Sequence, residues 1–107
     1  MSQFFSIHAE TPQTRLIGQA VEIIRSGGVI VYPTDSAYAL GCRLDNKSGA
    51  DRIKQIRCLD DDHNFTLVCQ DLSELSRYAR VDNAAYRQIK HSTPGPYTFI
   101  FEANKEV

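Results

Sequence analysis

The sequence predicts an α/β fold. Short apolar runs typical of strands alternate with amphipathic patterns typical of helices, and glycine- and proline-containing turns separate them. Of the 107 residues, 42% are hydrophobic, which is enough to supply one small core. A chain of this length is expected to form a single domain.

The first helix is predicted from its start signal and its apolar face. Residues 4–7 give only a weak strand candidate before it. Thr11 and Pro12 are typical of a helix N-cap and of the first helical position. The apolar residues that follow recur at three- and four-residue spacings, which predicts one buried face on a helix that ends at Gly27.

A buried strand and a second helix are predicted next. Val29–Tyr32 begins with three β-branched residues and lies between turn signals, which predicts a strand buried on both faces. Pairing is expected to stop at Pro33, because proline has no N–H to donate. Tyr38–Leu44 predicts a shorter strand, and Ser48–Cys58 predicts a helix with a narrow apolar stripe.

The second half of the chain predicts two strands and two helices. Phe65–Cys69 is interpreted as another buried strand. Asp71, with Glu74 three residues later, is close to a capping box and predicts a short helix, and Asp82 is expected to cap one more. Tyr97–Phe101 predicts the last strand, whose alternating aromatic residues favour a core face over a platform for stacking RNA bases.

Charge and cysteine content exclude several classes of protein. The net charge of −1 gives no global field that would attract nucleic acid or a membrane. No apolar run has the length of a membrane span, and we expect no signal peptide. Its three cysteines and three histidines are scattered, so we predict no protein-bound metal and expect reduced thiols in a cytoplasmic protein.

Two motifs resemble the YrdC/YciO family, and their details are similar to its YciO branch. GGVIVYPTDSAYALGC, at Gly27–Cys42, resembles the opening motif of the family, and PGPYTFI, at Pro94–Ile100, resembles its second motif. The resemblance runs from about Leu16 to Ala103 and implies a YrdC-like open twisted mixed sheet with helices packed on it. Family domains are longer, so residues 1–107 are expected to be a partial domain, the N-terminal half. A surface meant for the other half is expected either to favour self-association or to leave the chain only marginally stable.

The resemblance also implies a function. Members of the family are proposed translation factors, and the best known are threonylcarbamoyl-AMP synthases, nucleotidyltransferases that condense L-threonine, bicarbonate and ATP for tRNA threonylcarbamoyladenosine modification. By resemblance, Thr34 and Thr98 would bind L-threonine, ATP would arrive with Mg²⁺, and double-stranded RNA or tRNA would be a partner. No catalytic residue is assigned. The nucleotide contacts that the resemblance implies are Asn64 and Pro94, and we add Lys54 and Arg57 as predicted phosphate contacts.

The residues alone leave other interpretations open. Thr34, Asp35 and Ser36 equally predict an ordinary turn, and Thr98 an ordinary strand residue. A cluster of cations suits phosphate, of ATP or of an RNA backbone, but a solvated helix face gives the same pattern. The RNA-binding residues predicted from this cluster are Arg43, Lys47, Arg52, Lys54 and Arg57.

One departure from the family pattern favours a second function. Arg57 stands where the synthases carry the lysine of a Lys-x-Arg pair, and Leu59 or Asp60 stands where they carry the arginine. Losing a guanidinium removes a bidentate phosphate clamp, which Lys54 is expected to replace. The alternatives are therefore a non-catalytic RNA-binding module and an inactive half-domain. Cys69 lies where some synthases place a histidine near threonine.

Overall fold

The computed structural model describes residues 2–105, which fall into two compact units, Met1–His63 and Asn64–Val107. Helices and strands are both present, so the predicted α/β class is confirmed, whereas the single domain stays a prediction. The first unit contains α1 (Thr14–Arg25), β1 (Ile30–Pro33), β2 (Tyr38–Gly41) and α2 (Lys47–Arg57), and the second contains α3 (Leu72–Tyr78) and α4 (Asn83–Ser92).

Helix α1 begins two residues later than the start signal predicts. Gln13, and not Thr11, occupies the N-cap position. The hydroxyl of Thr11 lies 3.1 Å from Nδ1 of His8, whose ring also accepts the backbone N–H of Thr11 at 3.1 Å. Thr11 therefore closes a turn before the helix and leaves its side chain unable to cap it.

Two glycines fix the turn after α1. The N–H of Gly27 donates to the carbonyl oxygen of Ile24, and the N–H of Gly28 donates to that of Ile23. This pair of bonds is a Schellman motif, which satisfies the last carbonyl groups of a helix. Gly27 has φ of 91°, and a Cβ on Gly28 would lie 2.8 Å from the oxygen of Ile23, so both positions require glycine.

β1 and β2 form an antiparallel hairpin in which Pro33 lies opposite Tyr38. β1 begins and ends one residue later than predicted, and β2 is shorter than predicted. Burial alternates along β1, because Tyr32 is half-buried while Val31 is 65% exposed. The prediction of a strand buried on both faces is wrong in this structure. Helices α1 and α2 contact the hairpin, but they leave Val31 in solvent.

Three predicted strands are absent from the residues that the structure describes. Residues 4–7, 65–69 and 97–101 form no strand, and the second unit has a single isolated bridge, between Ala79 and Ala103. A strand exists only where a neighbouring backbone supplies hydrogen bonds, and no residue among 2–105 does so here. The sheet that residues 2–105 form is two-stranded and antiparallel.

Each unit encloses one large apolar side chain among its described residues. Ile53 of α2 is 6% exposed and Ile89 of α4 is 3% exposed. Other apolar side chains remain in solvent, and Ile100 is 96% exposed. Self-association through such surface stays a prediction.

Asn46 joins the end of α1 to the start of α2. Its Oδ1 accepts the N–H of Gly49 at 2.9 Å, which is an N-cap bond, and its Nδ2 donates to the carbonyl oxygen of Gly27 at 2.9 Å. Gly49 is buried under this amide, since a Cβ there would lie 2.4 Å from Nδ2. The sequence predicts the helix start near Ser48 and misses this residue.

The predicted caps of the last two helices are confirmed. Oδ1 of Asp71 accepts the N–H of Glu74 at 2.9 Å and the hydroxyl of Ser73 at 2.7 Å. Oδ1 of Asp82 accepts the N–H of Ala85 at 2.7 Å. Both hydrogen bonds lower the pKa of Asp71, and the one from the Ser73 hydroxyl has the larger effect.

Helix α3 is expected to lose its cap in acid. The folded pKa of Asp71 lies below the unfolded value of about 3.9, so its stabilising contribution is fully present above that value. It is lost as the pH falls through the lowered pKa. The amide resonance of Glu74, followed by NMR from about pH 6 to about pH 2, measures this loss.

Asp71→Asn is the matched control, because asparagine caps as well as aspartate and does not titrate. The part of the acid shift of the Glu74 amide that Asp71 causes should disappear in this variant. A shift that persists unchanged would mean that another group controls the cap.

Candidate functional site

The loop between β1 and β2 is closed by Thr34. Its hydroxyl oxygen accepts the N–H groups of Ser36 at 3.3 Å and Ala37 at 3.1 Å, and the hydroxyl donates to the carbonyl oxygen of Ala37. A hydroxyl has one proton and two acceptor positions, so the loop uses all of them. The geometry is that of the ordinary turn, and the contact of Thr34 with L-threonine stays a prediction.

The second motif forms a tight turn after α4. The Thr93–Pro94 peptide is cis, and the N–H of Tyr97 donates to the carbonyl oxygen of Gly95 at 2.9 Å. A Cβ on Gly95 would lie 2.6 Å from the carbonyl oxygen of Ser92, so this position requires glycine. Thr98 follows the turn in exposed, non-strand backbone, and its hydroxyl makes no hydrogen bond within residues 2–105.

The predicted cations of α2 do not share one face. Lys47 and Lys54 are seven residues apart and lie within about 20° of each other around the helix axis. Arg52 lies about 140° from Lys47, on a different side of the helix. The cations of α2 are therefore spread around the helix, and their binding of RNA stays a prediction.

Two of the predicted cations already have partners nearby. Nε of Arg43 lies 2.9 Å from Oδ1 of Asp45, and Nζ of Lys54 donates to the carbonyl oxygen of Asp61 at 2.7 Å. Arg57 is exposed in the last turn of α2, the same turn as Lys54. Lys54 and Arg57 are therefore the two predicted nucleotide contacts that lie in the first unit, in the same helical turn.

The charge of this region is balanced. Residues 43–62 contain five basic and five acidic side chains, so their sum is zero. This count, visible in the sequence, weakens the prediction that the region attracts RNA. The acidic residues are Asp45, Asp51, Asp60, Asp61 and Asp62.

Asn64 and Pro94 belong to the second unit, and both are exposed. The predicted nucleotide contacts are thus divided between the units, as are the two threonines Thr34 and Thr98. Their roles stay predictions.

The cysteines with partial burial are not poised as nucleophiles. Burial raises the pKa of the Cys42 thiol. Burial, followed by the charges of Glu74 and Asp71, raises that of Cys69. Both thiols are therefore protonated at neutral pH, whereas it is the thiolate that reacts.

Cavities, metal-ligand clusters and membrane helices add no further site residue. Two shallow depressions of about 380 and 410 Å³ lie along α1 and its C-terminal turn, and no predicted site residue lines either of them. Within residues 2–105, no three histidine, cysteine or carboxylate side chains are grouped to hold a metal ion. None of the helices in this range has the length and apolar character needed to cross a membrane.

One aromatic residue of the second motif does not lie where the sequence predicts. Tyr97 is expected in the core, but it is 64% exposed, while Phe99 and Phe101 are half-buried. The glycine and proline immediately before it are the signal that separates it from the other aromatic residues, because they turn the backbone there.

Comparisons with known proteins agree with the motifs. A Sua5/YciO/YrdC family model, described as "Telomere recombination", matches residues 22–107. Over all 107 residues the chain is 68% identical to an uncharacterized protein of Haemophilus influenzae and 64% identical to the uncharacterized protein YciO of Escherichia coli. It covers 52% of each, so the chain spans about half the length of these curated relatives.

A solved structure and a more distant relative complete the comparison. The crystal structure of E. coli YciO matches with a TM-score of 0.92 at 64% identity, over 100% of this chain and 52% of that one. A threonylcarbamoyl-AMP synthase of Coxiella burnetii is 32% identical over 94 residues, which is 87% of this chain and 50% of the synthase.

Proposed function

The chain belongs to the Sua5/YciO/YrdC family, as its motifs predict, and from this premise we propose that it is part of a domain that binds L-threonine and ATP with Mg²⁺. The domain would act as a nucleotidyltransferase in the synthesis of L-threonylcarbamoyl-AMP for tRNA modification. The Coxiella burnetii synthase, 32% identical over 94 residues, supports this proposal.

The observation that supports the proposal most is the hydroxyl of Thr98. It is exposed directly after the Pro94–Gly95 turn, and it makes no hydrogen bond within the described residues. A hydroxyl both donates and accepts, so it suits the ammonium and carboxylate groups of a free amino acid. Thr34 offers no such capacity while its loop is closed.

Phosphate binding would fall to the end of α2. Arg57 is exposed in its last turn, and a guanidinium pairs with phosphate oxygens through two parallel hydrogen bonds. Mg²⁺ keeps several of its waters and binds through the phosphates of the nucleotide, so this chain need not supply a cage for it. The ion would neutralise charge on those phosphates.

RNA binding without synthesis is a second candidate function. The replacement of the synthase arginine by Leu59 or Asp60 favours it, because positioning of the phosphates is weakened. The balanced charge of residues 43–62 opposes it, because RNA affinity rests largely on phosphate contacts.

Calorimetric titration with Mg-ATP, with and without L-threonine, tests the first candidate. We expect L-threonine to bind, and we expect Thr98→Val to weaken that binding by about 10- to 100-fold, the loss for one hydrogen bond to a charged group. Valine keeps the shape of threonine and removes only the hydroxyl. The affinity for Mg-ATP alone should stay the same.

Thr66→Val is the matched control, since Thr66 is also exposed in non-strand backbone of the second unit. It should leave both affinities unchanged. The proposal would be contradicted if both variants lost the same affinity for L-threonine, or if the wild-type chain did not bind L-threonine. If double-stranded RNA then still shifts the chain on a gel, and high salt abolishes the shift, the second candidate replaces it.

A further inference from the structure

Tyr97 is held in place and still largely exposed. Its Cδ2 and Cε2 atoms lie 3.2 and 3.3 Å from the point that a Cβ on Gly95 would occupy, so one edge of the ring packs against the turn. The ring of Phe99 lies 6.3 Å away between centroids. With 64% of the residue exposed, most of the ring is available to a ligand.

A backbone acceptor lies at the same turn. The carbonyl oxygen of Ser92 is 2.6 Å from the same point beside Gly95. Ser92 is the last residue of α4, and the last carbonyl groups of a helix have no partner within it. Thr93 donates its hydroxyl to Ile89 instead, and no N–H within residues 2–105 donates to Ser92.

A fixed aromatic ring beside an unused carbonyl group suits a nucleobase that carries an amino group. Bases stack on aromatic side chains whatever their identity, because each base has a π-face. The carbonyl adds selectivity, since it only accepts hydrogen bonds. The C-terminal end of a helix is also the negative end of its dipole, which favours a donor there.

We propose that the ring of Tyr97 stacks on the base of the bound nucleotide, and that the carbonyl oxygen of Ser92 accepts a hydrogen bond from the exocyclic amino group of that base. The inference rests on the nucleotide binding proposed above and assigns its base selectivity. Adenine satisfies both contacts. Hypoxanthine, a purine with an oxygen in place of that amino group, satisfies only the stacking.

Titration of the whole chain with Mg-ATP, Mg-ITP and tripolyphosphate separates these contacts. Tyr97→Leu should weaken ATP binding by about 5- to 150-fold, the range for one stacked base, and Tyr97→Phe should keep it. Neither variant should change the affinity for tripolyphosphate, which has no base. Wild-type chain should bind ITP about 2- to 10-fold more weakly than ATP, the effect of one neutral hydrogen bond.

Tyr86→Leu is the matched control, since it removes another exposed tyrosine of the second unit and should leave ATP binding unchanged. Equal ATP affinity in wild type and Tyr97→Leu, or equal affinity for ATP and ITP, would overturn this inference and leave the proposed function standing. Absence of Mg-ATP binding to the wild-type chain would overturn both.

Discussion

Replacing Ile53 by alanine is expected to lower the free energy of unfolding by about 2–4 kcal/mol. Ile53 is 6% exposed in α2, so the substitution removes buried methyl groups and leaves a cavity behind them. This is the largest loss that one side chain of the first unit should produce. Urea denaturation followed by circular dichroism measures it.

Ile56 provides the comparison within the same helix. It is 53% exposed, so the same chemical change removes groups that already lie about half in water in the folded chain. Ile56→Ala should lower the free energy of unfolding by less than about 1 kcal/mol. Equal losses for the two variants would mean that α2 does not bury the face described here.

Asn46→Ala is expected to lower the free energy of unfolding by about 2 kcal/mol. The variant loses the N-cap bond to Gly49, which contributes about 1 kcal/mol, and the bond to the carbonyl oxygen of Gly27, which contributes about as much. Asn46→Asp should lose about half of that amount. Aspartate can still cap the helix, but it cannot donate to Gly27.

The same denaturation experiment separates the two bonds of Asn46. Asn83→Ala is the control, because Asn83 is an exposed residue at the start of α4. This substitution should change the free energy of unfolding by no more than about 0.5 kcal/mol. If Asn46→Asp is as unstable as Asn46→Ala, the cap contributes nothing. If it is as stable as wild type, the bond to Gly27 contributes nothing.

The helices of this chain could be predicted from the sequence because their signals are local. Asp71 and Asp82 cap the helices that follow them, and both caps involve residues only three positions away. Asn46 escapes such reasoning, since one of its two bonds reaches Gly27, nineteen residues back. Local pattern alone does not show that contact.

Strands were predicted less well because pairing and burial are not local. Residues 65–69 and 97–101 have strand-forming composition, but no described backbone pairs with them. Val31 has the side chain of a buried strand and faces solvent, since burial depends on what packs against it.

The candidate site was likewise predicted only in part. Family motifs located the two loops around Thr34 and Thr98, but they could not show that one hydroxyl is occupied and the other is not. The alternation of aromatic residues predicted a core position for Tyr97, because alternation does not show where a turn redirects the chain. The acidic residues that balance the cations of residues 43–62 are visible in the sequence.

The closed loop at Thr34 should make ligand capture there slow. A ligand that bonds to this hydroxyl must first displace an existing bond to Ser36 or Ala37, so the competent loop is a minor conformation. The observed association rate would then level off at high ligand concentration, at the rate of loop opening. Thr98 needs no such opening, so its contacts should form at a rate that rises with concentration.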